Sequence, residues 1–118
     1  MITINELREF EQSIFTGVIV GVGSLVLLFS SGTRIMLQCP FQCGEEHHLK
    51  NGHGESLTTS ELLFPLLNQR VESCTMLDGE ILKLSFSNES LIYIFPEKNG
   101  FESYVITSSQ GDYPVIVY

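Results

Sequence analysis

The stretch that decides the fold is Ile81–Phe95, ILKLSFSNESLIYIF, in which two apolar runs flank the polar turn NES. An earlier stretch, Leu25–Leu37, LVLLFSSGTRIML, has the same layout around the turn SGT. A Val-containing run and a glycine-containing turn precede each copy. Short apolar runs joined by such turns are typical of antiparallel hairpins. We therefore predict two strand–turn–strand–turn–strand units, at about residues 17–39 and 70–95.

Two short helices are predicted outside these units. Asn5 is a suitable N-cap for a helix ending near Glu11, because its side-chain oxygen can accept from a free backbone N–H. The sequence TTSE at 58–61 has capping-box spacing ahead of a second helix. We expect this second helix to be short, because Pro65 lies inside it.

The remaining segments complete the predicted fold. Pro40 is expected to end the first unit, and the polar, glycine-containing stretch Gln42–Ser56 is predicted to be an exposed loop. The first unit's continuous apolar strands are expected to be covered on both faces. The fold class is α+β, mostly β: antiparallel meanders from two three-stranded repeats, a C-terminal hairpin within 104–118 and one or two short helices. We predict a single domain over residues 1–118.

The apolar stretch Ile14–Phe29 raises the question of a membrane span, which needs about 20 apolar residues. Glycine and serine interrupt this stretch, the segment before it is acidic, and the matching part of the second unit carries four charges, Glu72, Asp78, Glu80 and Lys83. We therefore interpret the stretch as two strands and expect no contact with a membrane.

The chain is strongly acidic, with 14 acidic and 6 basic residues and a net charge of −8. This charge opposes direct binding to nucleic acid, which needs a basic surface. It suits a protein that attracts a basic partner electrostatically. The three cysteines form no disulfide framework, which fits a reducing, cytoplasmic compartment.

One cluster has metal-ligand chemistry: Cys39, Cys43, His47, His48 and His53. Thiolates and imidazoles bind zinc, but this spacing matches no common zinc signature. We predict no metal and no other cofactor, and a small zinc-stabilised binding module remains the alternative interpretation. The paired carboxylates lie in predicted turns and a loop rather than in an enclosed site, so we predict no enzymatic activity.

Residues 70–88, RVESCTMLDGEILKLSFSN, and 101–118, FESYVITSSQGDYPVIVY, resemble a family of small bacterial proteins. Its pattern is a Val-rich strand, a turn, an alternating Leu-x-Leu-x-Phe strand and an Asp/Asn-rich turn, with a last strand that closes on an aromatic residue. Some members resemble immunity proteins of contact-dependent growth inhibition and other polymorphic toxin systems. The resemblance implies a cytoplasmic protein that binds the C-terminal domain of its cognate toxin, often a basic nuclease, and blocks the active site.

On this interpretation, the acids of the predicted turns and loop are the expected toxin-binding residues: Glu45, Glu46, Glu72, Asp78 and Glu80. Exposed negative charge attracts a basic surface at long range. The expected partner is therefore the toxin domain, with no direct contact to nucleic acid.

Overall fold

In the computed structural model, which describes residues 2–118, antiparallel strands dominate and the helical segments are short. The strands are β1 (Phe15–Gly21), β2 (Ser24–Phe29), β3 (Arg34–Leu37), β4 (Pro40–Glu45), β5 (Lys50–His53), β6 (Val71–Leu77), β7 (Ile81–Phe86), β8 (Ser90–Ile94), β9 (Glu102–Ser108) and β10 (Gly111–Ile116). The helical segments are α1 (Ile4–Arg8) and 3-10 segments at Leu57–Leu66 and Asp78–Glu80. The predicted class, α+β and mostly β, is confirmed.

The strands form two five-stranded antiparallel sheets. The first sheet has the order β1-β2-β3-β9-β10, and the second has the order β5-β4-β8-β7-β6. The predicted repeats are therefore the meanders β1–β3 and β6–β8, one in each sheet. The C-terminal hairpin β9–β10 joins the first repeat, because β9 pairs with β3.

The core lies between the two sheets. Leu25 and Leu27 of β2 and Leu82 and Leu84 of β7 are fully buried in one continuous hydrophobic cluster. Fully burying such a side chain contributes about 1.5–3 kcal/mol. The expectation that the first unit is covered on both faces is wrong. β2 and β3 bury alternate residues only, whereas β1 buries Phe15 alone and its Ile19 is 52% exposed.

The prediction that Gln42–Ser56 is a loop is also wrong, because most of it forms the hairpin β4–β5. Pro40 begins β4 rather than ending a unit, since the first position of a strand tolerates the missing N–H. The glycines that suggested a loop allow close packing. A Cβ on Gly52 would lie 2.3 Å from the Phe41 ring, and one on Gly54 would lie 2.2 Å from a backbone oxygen of β3.

Both helix predictions need correction in detail. Thr3, not Asn5, is the N-cap of α1: its hydroxyl accepts from the Glu6 N–H at 3.1 Å, and the Glu6 carboxylate accepts from the Thr3 N–H at 3.4 Å. This is the capping box that the sequence TINE encodes. The second helix is a 3-10 helix that contains Pro65 and begins without a side-chain capping bond. Within residues 2–118, no helix has the length and apolarity needed to cross a membrane.

Candidate acidic binding surface

An open groove of about 790 Å³ lies at one end of the second sheet, where β4 and β7 end and β6 and β8 begin. It is bounded by the β4–β5 turn, the β7–β8 turn and the start of β6. We call it the acidic groove, and its principal side chains are Glu45, Glu46, His47, His48, Glu72, Lys83, Glu89 and Leu91. Three of the five acids predicted as toxin-binding residues therefore line one surface.

Strand alternation places Lys83 and Leu91 on the outer side, whereas Glu45 is exposed because it is the last residue of β4. Leu84 and Ile92 face each other in the core, so the neighbouring positions Lys83 and Leu91 point outward. Glu72 lies in a register shift between β6 and β7, where one strand has an extra residue. Such a bulge redirects a side chain, and Glu72 is exposed beside the groove.

The charge of the groove is largely uncompensated. Four carboxylates border it, and Lys83 is its one lysine or arginine. The Lys83 Nζ lies 5.7 Å from the centre of the Tyr93 ring, a cation–π distance. Across residues 2–118, the ion pairs within 4.0 Å all involve His53, which lies outside the groove. The groove carboxylates are therefore free to meet cations from a partner.

Asp78 and Glu80 lie elsewhere, in the 3-10 turn that follows β6. They line a separate cleft beside α1, together with Glu11. Glu72 and Asp78 are at opposite ends of β6, and six residues of strand span roughly 20 Å. The structure thus divides the five predicted acids into a group of three and a group of two.

Glu89 lines the groove but is not among the acids predicted from the sequence to bind the toxin. It occupies the β7–β8 turn with a left-handed backbone, φ +70°, and its side chain is exposed. The signal was available, since Glu89 is the acid in the turn NES that separates the two runs of Ile81–Phe95.

The residues considered as metal ligands are separated by the fold. Cys39 and Cys43 face the core, and the Cys43 Sγ donates to the Leu62 carbonyl at 3.3 Å. His47 is exposed in the β4–β5 turn, and the His53 Nδ1 accepts from the Glu55 N–H at 3.0 Å. In the part of the chain that the structure describes, no three His, Cys, Asp or Glu side chains are placed to hold a metal ion.

The buried thiols are also held in their protonated form. Burial raises the pKa of Cys39 to about 12 and that of Cys43 to about 11. Burial and the nearby Glu11 raise the pKa of Cys74 to about 12. Metal binding and nucleophilic attack both require the thiolate, so these environments favour packing over chemistry.

Comparison with protein-family models, with curated proteins and with solved structures finds no match for this chain. The resemblance of residues 70–88 and 101–118 to toxin-immunity proteins therefore stays a prediction from the sequence. In the fold, these segments supply strands of both sheets, and the acidic groove takes Glu72 and Lys83 from the first of them.

Proposed function

We propose that this protein is an immunity protein that binds a cognate toxin domain and covers its active site. The observation that carries the proposal is the acidic groove, where Glu45, Glu46, Glu72 and Glu89 meet on one open surface without a compensating ion pair among residues 2–118. The sequence resemblance supports the same role.

The groove suits a basic protein surface. Its carboxylates can accept charge-assisted hydrogen bonds from lysine and arginine, which are stronger than neutral ones. Leu91 provides an apolar floor that is almost fully buried and can pack against the aliphatic part of such side chains. A nuclease presents basic side chains where it holds the phosphates of its substrate, so a nuclease domain is the proposed class of toxin.

The overall charge supports rapid binding. At −8, the chain attracts a basic domain from a distance, and such steering raises association rates above the ordinary range of about 10⁵–10⁶ M⁻¹s⁻¹. The same charge repels nucleic acid, so the proposed inhibition acts on the toxin and not on its substrate. Under this proposal, the protein acts in the cytoplasm, binds the toxin domain one to one and catalyses no reaction.

The first test is the gene neighbourhood, where we expect a toxin domain to be encoded beside this protein's gene. We expect co-expression to protect cells, and the two purified proteins to form a complex. The triple variant Glu45→Lys, Glu46→Lys, Glu72→Lys should slow association by at least about tenfold and flatten its salt dependence. The double variant Asp78→Lys, Glu80→Lys is the control: it reverses two acids outside the groove and should slow association less than the triple variant does.

Either of two results would contradict the proposal. Absence of a complex with a folded toxin domain would remove the immunity role. A complex that is weakened by the control variant and not by the triple variant would remove the acidic groove as its site.

A further inference from the structure

The outer side of the first sheet carries an apolar row that crosses all five strands. Register places Ile19, Val26, Met36, Val105 and Pro114 side by side, from β1 through β2, β3 and β9 to β10. On β2, β3 and β9, the neighbours of these residues are buried in the core, so alternation points the row outward, and register joins Ile19 and Pro114 to it. Its members are exposed or half-buried. We call this surface the apolar face.

The outer side of the second sheet has no such apolar row. Its corresponding outer row consists of Thr75, Lys83, Tyr93, Gln42 and Asn51, in order across β6, β7, β8, β4 and β5. The side chain of Gln42 donates to that of Asn51 at 2.9 Å. This polar row is what a solvated sheet face requires, and the apolar face lacks it.

One cation and one anion lie beside the apolar row. The next cross-strand row places Arg34 on β3, Thr107 on β9 and Asp112 on β10. The Cα atoms of Arg34 and Asp112 are two strand spacings apart, about 10 Å, and among residues 2–118 no ion pair joins the two side chains. The Thr107 hydroxyl donates to the Asp112 carboxylate at 2.7 Å, so this acid is held in place between the strands.

We propose that the apolar face is the interface of a homodimer. A two-fold axis that lies in the interface and runs along β9 places Arg34 of each copy opposite Asp112 of the other. It overlays β3, β9 and β10 of the two copies, so the buried part of the row is Met36, Val105 and Pro114, and β1 and β2 lie beyond the overlap. The same axis places Val105 opposite itself within the apolar row. The face is therefore self-complementary in charge, and symmetry makes the ion pair twice.

The charge distribution favours a second copy at this surface. Two chains of net charge −8 repel each other unless they meet where acids are few or matched. Asp112 is the one acid in the two rows described, and Arg34 matches it. The residues of the acidic groove all belong to the second sheet and its turns, so a dimer through the first sheet leaves the groove open and does not depend on the toxin.

The test is the mass in solution, measured by analytical ultracentrifugation over a wide range of protein concentration. We expect a concentration-dependent dimer. Arg34→Asp should weaken association by roughly tenfold to a hundredfold, because it turns two attractive pairs into two repulsive ones. The double variant Arg34→Asp, Asp112→Arg should restore the dimer. Lys50→Asp, on β5 of the other sheet and outside the acidic groove, should leave it unchanged, with circular dichroism confirming that each variant is folded.

Three outcomes would overturn the dimer. The first is a wild-type chain that stays monomeric at the highest concentration. The second is a dimer that tolerates both Arg34→Asp and Met36→Lys. The third is a monomer in which these two substitutions abolish toxin protection, because the apolar face would then belong to the toxin.

Discussion

Alkaline pH should destabilise this protein strongly because of its three buried thiols. Burial raises the pKa values of Cys39 and Cys74 from 9.0 to about 12 and that of Cys43 to about 11. The unfolded chain therefore releases these protons at a lower pH than the folded chain does. The stabilisation is complete below about pH 9 and falls as pH rises toward the folded pKa values.

The expected loss follows from the number of thiols. Each group whose pKa is raised on folding removes about 1.4 kcal/mol of unfolding free energy per pH unit between its two pKa values. For three thiols, the loss between about pH 8 and about pH 10 is about 4 kcal/mol. This loss is a large fraction of the free energy of unfolding of a typical domain, which is about 5–15 kcal/mol.

Urea unfolding under reducing conditions, followed by far-ultraviolet circular dichroism at several pH values, measures this loss. Replacing Cys39, Cys43 or Cys74 singly by alanine should remove about a third of the pH dependence each time. The triple alanine variant controls for general charge repulsion at high pH, because it keeps every other titrating group. An unfolding free energy that is the same at both pH values in the wild type would refute the reasoning.

Two further substitutions test the packing. Gly54→Ala should lower the free energy of unfolding by about 3 kcal/mol or more, because its Cβ would lie 2.2 Å from the Leu37 oxygen. Gly17→Ala is the control: its Cβ would lie 3.5 Å from the Leu28 side chain, so the free energy of unfolding should change by less than about 1 kcal/mol. Equal effects in urea unfolding would contradict the close approach. A third substitution tests a hydrogen bond. Tyr104→Phe should lower the free energy of unfolding by about 1–2 kcal/mol, because the buried Tyr104 hydroxyl donates to the Glu80 carbonyl at 2.7 Å and links the two sheets. An unchanged denaturation midpoint would show that this bond contributes nothing.

The two repeats could be predicted from sequence because local signals agree there. Ile81–Phe86 alternates between buried and outward residues, and the turns beside the repeats contain residues suited to a positive φ, such as Gly23, Gly32 and Gly79. The hairpin β4–β5 could not be distinguished from a loop, because its outward residues are polar and its glycines serve packing. The average polarity of a sequence segment does not distinguish a loop from a strand that has one solvent-exposed face.

The acidic groove was only partly predictable. The sequence identifies Glu45, Glu46 and Glu72 as exposed acids, but they become neighbours only because β4 pairs with β8, β8 with β7, and β7 with β6. That strand order depends on packing of the whole core rather than on any local segment. The same long-range order separates Asp78 and Glu80 from the groove.

The pairing of β3 with β9 also determines when the first sheet can form. Ile35 pairs with Ile106, a contact that closes a loop of about 70 residues. During synthesis, the first repeat therefore emerges long before its partner strand and has no charged residue between Glu11 and Arg34. Until β9 emerges, β3 is an unpaired edge with Arg34 as its one charge, and such an edge is a site of aggregation. Slow translation before β9, or loss of β9 and β10, should therefore direct this chain toward aggregation or chaperone binding.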